Sequence, residues 1–189
     1  MAVFASGTGS NAQKIIDHFS DSSKGGEVAL IVCNKAGAGV LQIAAKEGIP
    51  TIIIDKERFF RGDSFIPVLK TYEIDLILLA GFLWKIPRSL IEAYPHRIIN
   101  LHPALLPKFG GKGMYGLFVH EAVLNAGEAE TGITIHYVDE QYDHGDIIFQ
   151  AKCTIDVDDA ESLSKKIHEL EHQYYPVTIE KILKHSTNV

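Results

Sequence analysis

The feature that most constrains this fold is a series of short, almost wholly apolar runs separated by segments of helical character. In the first half of the chain these runs predict strands at about 3–5, 28–33, 51–54, 74–80 and 97–101. A strand that is apolar along its whole length is buried on both faces, which is typical of parallel sheets covered by helices. The sequence therefore predicts a Rossmann-like α/β fold, with a mostly parallel sheet and helices on both faces.

The segments around these runs predict the helices. Expected helices cover about 10–19, 40–47, 64–72 and 117–125. A last helix should begin at Asp158 and Asp159 and carry an apolar stripe. Pro176 interrupts that stripe and should kink or restart the helix, because proline lacks the N–H that a helix interior needs.

The strand pattern changes in the second half of the chain. Two longer runs, at about 131–138 and 146–154, predict strands joined by the short segment 139–145. So short a connection favours a hairpin, and the sheet should therefore gain a C-terminal antiparallel hairpin. No linker, repeat or low-complexity segment interrupts the sequence, which predicts one domain over residues 1–189.

Composition narrows the classes of protein. Apolar residues make up 46% and charged residues 22% of the 189, as in ordinary soluble domains. The net charge of −6 argues against nucleic-acid binding, and no apolar run is long enough to cross a membrane. The first residues are too short and uncharged for a signal peptide, so we expect a cytoplasmic protein. Cys33 and Cys153 suit buried positions in a reducing compartment, and no close Cys/His cluster suggests a metal.

A polar pair closes the last of the five apolar runs. Asn100 and His102 are two residues apart, so on a strand they face the same side, and Pro103 ends the strand. An amide and an imidazole that share one space can bind and protonate a carbonyl-like centre. The alternative is that His102 only caps the strand and Asn100 only satisfies a turn.

A glycine-rich turn joins the first strand to the first helix. Glycines permit the tight turn, and a helix N-terminus offers free N–H groups to an anion. The loose G-x-G-x-x-A pattern from Gly7 is also typical of dinucleotide sites, but no acidic residue follows the second strand to bind a ribose. We favour a phosphate monoester held by Gly9, Ser10 and Asn11; a plain strand–helix turn is the alternative.

Asp143 lies in the expected hairpin loop. A carboxylate close to His102 stabilises the imidazolium and raises the pKa of the histidine, which would make His102 a proton donor at neutral pH. Asp139, Asp146 and His144 are competing candidates for that position. Considered alone, Asp143 is an ordinary turn residue.

Segment 81–86 follows the fourth strand. Carboxyl ends of parallel strands are where open sheets bind ligands, so this segment and Asn100 to His102 should flank one crevice. The alternative interpretation of segment 81–86 is that it is only the loop that follows the strand, without a ligand. Glu171 and His172, on the last helix, suit either a ligand contact or a solvated face.

Together these motifs resemble the formyltetrahydrofolate-dependent formyltransferases. The resemblance rests on segment 6–11, on Leu79-Ala80-Gly81-Phe82, on segment 100–107 with its Asn-x-His-Pro-x-Leu-Leu-Pro pattern, and on Asp143. It spans essentially the whole chain. The 100–107 block is shared among formyltetrahydrofolate enzymes, whereas the glycine loop is similar to that of the phosphoribosylglycinamide formyltransferases of purine synthesis.

The resemblance implies a formyltransferase fold and a role for each matching residue. It implies transfer of the formyl group of 10-formyltetrahydrofolate to the amine of 5-phosphoribosylglycinamide, without a metal. Asn100 and His102 match the catalytic pair, and Asp143 matches the acid that raises the histidine pKa. The implied ribonucleotide contacts are Gly9, Ser10, Asn11 and Glu171, and the implied folate contacts are Arg61, Leu83, Trp84, Lys85, Ile86 and Asn100.

Segment 110–116 departs from the family pattern. It is longer than in many relatives, and Gly116-Leu117-Phe118 places Phe where family members often have the His of a Gly-x-His. The oligomeric state is left open, a homodimer included.

Rival functions remain at this point. Formyltetrahydrofolate hydrolysis uses the same residues with water as the acceptor, but that family usually has an added N-terminal domain. Methionyl-tRNA formyltransferases usually have an added C-terminal domain. The glycine pattern leaves a dinucleotide-binding oxidoreductase or a non-catalytic Rossmann module as a different class.

Overall fold

The computed structural model describes residues 1–61 and 65–186. Its strands form one seven-stranded sheet with the order β3-β2-β1-β4-β5-β6-β7. The strands are β1 Ala2–Ala5, β2 Leu30–Cys33, β3 Thr51–Ile53, β4 Ile77–Leu79, β5 Ile98–His102, β6 Glu130–Tyr137 and β7 Ile147–Thr154. The helices are α1 Ser10–Phe19, α2 Gly39–Glu47, α3 Lys56–Arg61, α4 Ile66–Thr71, α5 Arg88–Ala93, α6 Leu117–Asn125 and α7 Ala160–Ser186, with a short 3₁₀ turn at Ser22–Lys24.

The sheet is parallel from β3 to β5 and antiparallel beyond it. Strand β5 pairs antiparallel with β6, and β6 pairs antiparallel with β7. In this register Asn100 lies opposite His136 and His102 lies opposite Thr134. The predicted fold class is therefore confirmed, including the C-terminal hairpin.

Alternate residues of the central strands point to opposite faces of the sheet and pack into two hydrophobic cores, one on each face. Val3 and Ala5 pack on one face, beneath α1, α2, α6 and α7. Ala2 and Phe4 pack on the other face, against buried residues of α3, α4 and α5. Helices on both faces explain why β1, β2 and β4 are apolar along their whole length.

Some boundaries differ from the sequence expectation. Strand β2 begins at Leu30 and β4 at Ile77, later than the apolar runs begin. The expected helix start at Ser64 lies outside the described residues, and α4 begins at Ile66. Helix α7 contains Pro176 without a restart, because the neighbouring Tyr175 and Ile179 are fully buried and hold both halves against the sheet. Over the described parts of the chain, no helix is both long and apolar enough to cross a membrane.

Candidate active site

Two adjoining clefts open at the carboxyl ends of β1, β4 and β5. The first cleft is lined by 81–86, 100–102, 111–115, His136 and Asp143, together with neighbouring hairpin residues. The second cleft is lined by 7–11, the start of α6, and His168 and Glu171 of α7. Gly81 and Leu101 line both, so a molecule bound in one cleft can reach a molecule in the other.

His102 is held from two sides at the end of β5. It is 3% exposed. Its Nε2 lies 2.8 Å from the carbonyl oxygen of Phe109, and a carbonyl can only accept, so Nε2 carries a hydrogen. Its Nδ1 lies 3.5 Å from Oδ2 of Asp143. Nδ1 is therefore the ring atom at which His102 gains or loses a proton.

Burial lowers the pKa of His102 below its ordinary value, and nearby charges modify this effect. The carboxylate of Asp143 and the carbonyl of Phe109 act to raise that pKa, while His136 lowers it further. The expectation that Asp143 leaves His102 with a raised pKa is thus wrong in its net direction. Asp143 acts in the expected sense, but the loss of hydration around a nearly fully buried ring outweighs it.

Asp143 is the carboxylate that reaches His102. Its backbone adopts a left-handed conformation with φ 53°, and its Oδ2 accepts a 2.9 Å hydrogen bond from the N–H of Gly111. Burial acts to raise the pKa of Asp143, but its contacts with His136, His102 and Gly111 outweigh burial and hold the pKa below the usual range. The competing candidate Asp139 instead contacts His144, at 2.7 Å.

Asn100 links the catalytic candidates to His136, which is similar to the family in sequence but to which the sequence assigns no role. Nδ2 of Asn100 lies 3.0 Å from Nε2 of His136 and 3.3 Å from Oδ1 of Asp143. His136 donates from Nδ1 to the carbonyl of Tyr137 at 2.7 Å, which leaves Nε2 to accept from Asn100. The sequence predicts that His136 lies on a strand. Only the antiparallel register between β5 and β6 shows that it lies opposite Asn100.

The residues after β4 form an apolar wall of the first cleft. Leu83, Trp84, Lys85 and Ile86 all line it, as expected. The main chain at Leu83 is fixed by a 3.1 Å hydrogen bond to Oγ of Ser6. Trp84 packs against an aromatic cluster of Phe59, Phe60 and Phe82. This wall suits a flat ligand that is recognised by shape and by main-chain groups.

Arg61 and Phe118 do not line either cleft. Arg61 forms an ion pair with Glu57 at the exposed end of α3. The ligand contact implied for Arg61 therefore stays a prediction. Phe118 is exposed and packs edge-to-face on Tyr115, with ring centroids 5.5 Å apart. Phe118, which stands where family members often have a His, therefore forms an aromatic pair with Tyr115 beside the clefts.

The glycine loop shapes the second cleft. Gly9 precedes α1 in the left-handed region, with φ 85°, and a Cβ there would lie 2.8 Å from Cα of Val40. Any other residue would therefore be strained and would clash. No side chain caps the first turn of α1, so the N–H groups near Ser10 and Asn11 face the cleft without a side-chain partner. Such a helix start suits an anion.

Asn11 and Glu171 join the two ends of the chain in the second cleft. Nδ2 of Asn11 donates to Oε2 of Glu171 at 2.8 Å, and Oδ1 of Asn11 is buried without a partner. Burial raises the pKa of Glu171, although Asn11 and His168 act to lower it. One turn later, the hydroxyl of Tyr175 lies 3.1 Å from the carbonyls of Leu79 and Ile99, which fixes α7 over the ends of β4 and β5. The expected neighbour His172 does not line the cleft.

His120 is a second residue that sequence reasoning missed. It lines the second cleft, it is buried, and its Nδ1 has no hydrogen-bond partner. Burial, with smaller contributions from His168 and His102, lowers its pKa to about 4. His120 is therefore neutral near pH 7 and offers a polar atom to a ligand. Across residues 1–61 and 65–186, no group of three or more His, Cys, Asp or Glu could hold a metal ion.

Fold and site together define a doubly wound α/β protein with two adjoining clefts that meet beside an Asn–His–Asp cluster. A family model described as formyl transferase matches residues 1–179. The chain belongs to this formyl transferase family.

Individual relatives agree with this assignment. The chloroplastic phosphoribosylglycinamide formyltransferase of Arabidopsis thaliana is 45% identical over 93% of this chain and 62% of its own length. The phosphoribosylglycinamide formyltransferase of Bacillus subtilis is 38% identical over 96% of this chain and 93% of its own. This chain thus spans about three fifths of the chloroplastic relatives. A crystal structure of the Bacillus halodurans enzyme of the same name is similar, with TM-score 0.89 and 37% identity, covering 100% of this chain and 97% of that one.

Proposed function

We propose that this chain transfers a formyl group from 10-formyltetrahydrofolate to the amine of 5-phosphoribosylglycinamide, giving formylglycinamide ribonucleotide and tetrahydrofolate. The observation that supports this most is the meeting of the two clefts at the residues that end β5. One cleft has the apolar wall that suits a pterin, and the other ends on a helix start that suits a phosphate. Relatives named for this activity are similar over nearly the whole chain.

Each substrate has a proposed set of contacts. Gly9, Ser10 and Asn11 hold the phosphate through main-chain N–H groups at the start of α1. Glu171, which accepts a hydrogen bond from Asn11, contacts the ribonucleotide. The folate lies along Leu83, Trp84, Lys85 and Ile86 in the first cleft. Binding both substrates beside each other supplies much of the rate by proximity and orientation.

The chemistry is a direct attack of the amine on the formyl carbon. The attack produces a tetrahedral intermediate whose oxygen is negatively charged. His102 stabilises that oxygen, and so does Asn100 when it exchanges its longer, 3.3 Å hydrogen bond to Asp143 for one to the oxygen. One such donor is worth about 2.7–4 kcal/mol in acyl-transfer sites. Because burial lowers the pKa of His102, the ring gains its proton as negative charge develops beside it.

Proton transfer completes the reaction. The attacking amine must lose a proton and the folate nitrogen must gain one before tetrahydrofolate leaves. Nδ1 of His102 is the exchanging atom, and the ionised Asp143 beside it stabilises the imidazolium that forms. No covalent intermediate with the protein is needed, because the amine itself is the nucleophile.

The experiment is to follow tetrahydrofolate formation by absorbance, with and without 5-phosphoribosylglycinamide. The proposal expects formation only when the ribonucleotide is present. Equal formation without it would identify a hydrolase that uses water as the acceptor. Lack of turnover together with binding of NAD or NADP would favour the dinucleotide-binding class. We further propose one domain over residues 1–189 and a cytoplasmic location.

A further inference from the structure

A third groove lies on the sheet face that α7 covers. It is lined by Arg97, which precedes β5, by residues at the end of β6 and the start of β7, and by the last turns of α7. Its free volume is about 670 Å³, within the range of about 300–1,000 Å³ that small-molecule sites occupy. Among the residues that the structure describes, none lines both this groove and one of the two clefts.

The third groove is separate from the proposed reaction site. Glu171 of the second cleft and Lys181 of the groove are both on α7, about 15 Å apart along the helix axis at 1.5 Å per residue. Between them, Tyr175 is fully buried, and its hydroxyl donates towards the carbonyls of Leu79 and Ile99. A molecule in the groove therefore lies outside both clefts, and its binding does not depend on the proposed substrates.

The floor of the third groove is formed by four partly buried apolar side chains that pack on the core beneath them. They are Tyr137, Ile148, Phe149 and Ile182. The ring of Phe149 packs on that of Tyr174, with centroids 5.1 Å apart, and His96 meets the ring of Tyr137 edge-on at 5.5 Å. These contacts hold the two floor rings in place. A flat aromatic group can stack on such a surface, and stacking accepts every nucleobase because each has a π face.

The rim of the third groove carries positive charge. Lys181 and His185 are exposed and lie one turn apart on α7, so they face the same side. Cations near the end of a helix often only offset the helix dipole, but Arg97 comes from a different element and lines the same groove. The described lining includes no Asp or Glu. In a chain with a net charge of −6, the groove is therefore a local site for an anion.

We propose that the third groove binds a nucleoside monophosphate, with the base on Phe149 and Tyr137 and the phosphate at Arg97 and Lys181. The aromatic floor suits the base, and the two cations suit a phosphate monoester, which carries about −1.5 to −2 charges near pH 7. A guanidinium also matches two phosphate oxygens at once. Neither a neutral nucleoside nor a free anion would use both parts of the groove. This inference does not rest on the proposed function.

Isothermal titration calorimetry of the intact chain with AMP tests this site. We expect AMP to bind, and adenosine and inorganic phosphate to bind at least about tenfold more weakly, because each lacks one set of contacts. Lys181→Glu reverses a charge at the rim, and Phe149→Leu removes a ring but keeps the floor apolar. Each should raise the dissociation constant of AMP at least about tenfold, with the circular dichroism of the unaltered protein. Lys70→Glu, at an exposed position of α4 on the other face of the sheet, is the matched control and should bind AMP normally.

Several outcomes would overturn this proposal. Absence of AMP binding is one, and equal affinity for adenosine and AMP is another. An unchanged affinity of Lys181→Glu for AMP would place the nucleotide elsewhere, and competition by 5-phosphoribosylglycinamide would place it in the second cleft. Sedimentation velocity gives a further check. A dimer that Lys181→Glu converts to a monomer would identify the groove as an interface between copies of the chain instead.

Discussion

Oδ2 of Asp143 lies 3.5 Å from Nδ1 of His102, while Nε2 of the same ring donates to the carbonyl of Phe109 at 2.8 Å. The ring therefore has one side fixed by the main chain and the other next to a carboxylate. Of its two nitrogens, only Nδ1 can change protonation without breaking the hydrogen bond to Phe109. Asp143 is therefore the carboxylate that opposes the effect of burial, which lowers the pKa of His102.

Replacing Asp143 by Asn should lower turnover by about 100-fold or more, the usual size of a general acid–base contribution. The amide can still accept from Gly111, but the charge that raises the pKa of His102 is lost. The pKa of His102 should therefore fall further below its ordinary value. Imidazole titration by NMR measures this shift directly. An unchanged His102 titration in Asp143→Asn would show that the carboxylate does not act on the ring.

Asn100→Ala should lower kcat by about 100- to 1,000-fold, because it removes a donor to the developing oxyanion. KM for 5-phosphoribosylglycinamide should change little, since the interaction with the oxyanion forms mainly in the transition state. The variant also leaves Nε2 of His136 without its donor, which should cost about 1–3 kcal/mol of unfolding free energy. Steady-state kinetics and urea unfolding measure the two effects. A rise in KM with unchanged kcat would contradict the role in stabilising the oxyanion.

Stability should decrease as pH falls from about 6.5 towards 4, with His120 as a principal cause. Its pKa is about 4 in the folded protein, below that of an unfolded histidine, so in this window the unfolded chain binds more protons. The contribution of His120 to the unfolding free energy is fully present above the pKa that this histidine has in the unfolded chain. His102, whose pKa burial also lowers, contributes in the same direction.

His120→Gln should flatten this dependence. The measurement is the urea midpoint at pH 7.5 and at pH 5, and the difference between the two should be smaller in the variant than in the unaltered protein. An equal difference in both proteins would assign the pH dependence to other groups.

Trp84 is the only tryptophan of the chain, and it lines the first cleft. Its fluorescence should therefore change when a folate analogue binds against the apolar wall, and should change much less with 5-phosphoribosylglycinamide alone. A fluorescence titration with each ligand measures this. A large change with the ribonucleotide and none with the folate analogue would reverse the assignment of the two clefts.

Sequence patterns were sufficient for the long and strongly patterned elements. Helices α1 and α6 have the bounds that the sequence predicts, because a glycine marks the start of each and an apolar stripe runs along α1. Helices α3 and α5, of six residues each, were not predicted, whereas the equally short α4 was predicted with wider bounds than it has. Six residues show little of the helical period. Asn100 and His102 were placed correctly in one cleft, because a strand alternates its faces.

Tertiary features of the site could not be read from the sequence. His136 joins Asn100 only through the register between β5 and β6, which side-chain packing decides. The pKa of His102 depends on how completely the ring is buried. A charged neighbour can be inferred from a sequence motif, but the degree of burial cannot. Likewise, the position of His120 in the second cleft depends on how α6 packs, which the sequence does not give.

The most direct test of the central claim is a single-turnover experiment with 10-formyltetrahydrofolate that carries an isotopically labelled formyl group. Mass spectrometry follows the label with excess protein and 5-phosphoribosylglycinamide, for the unaltered chain and for His102→Ala. We expect the label on the ribonucleotide amine with the unaltered chain, and transfer at least about 100-fold slower with the variant, whose fold is checked by circular dichroism. Label appearing as free formate, or equal transfer by a folded His102→Ala variant, would contradict the account.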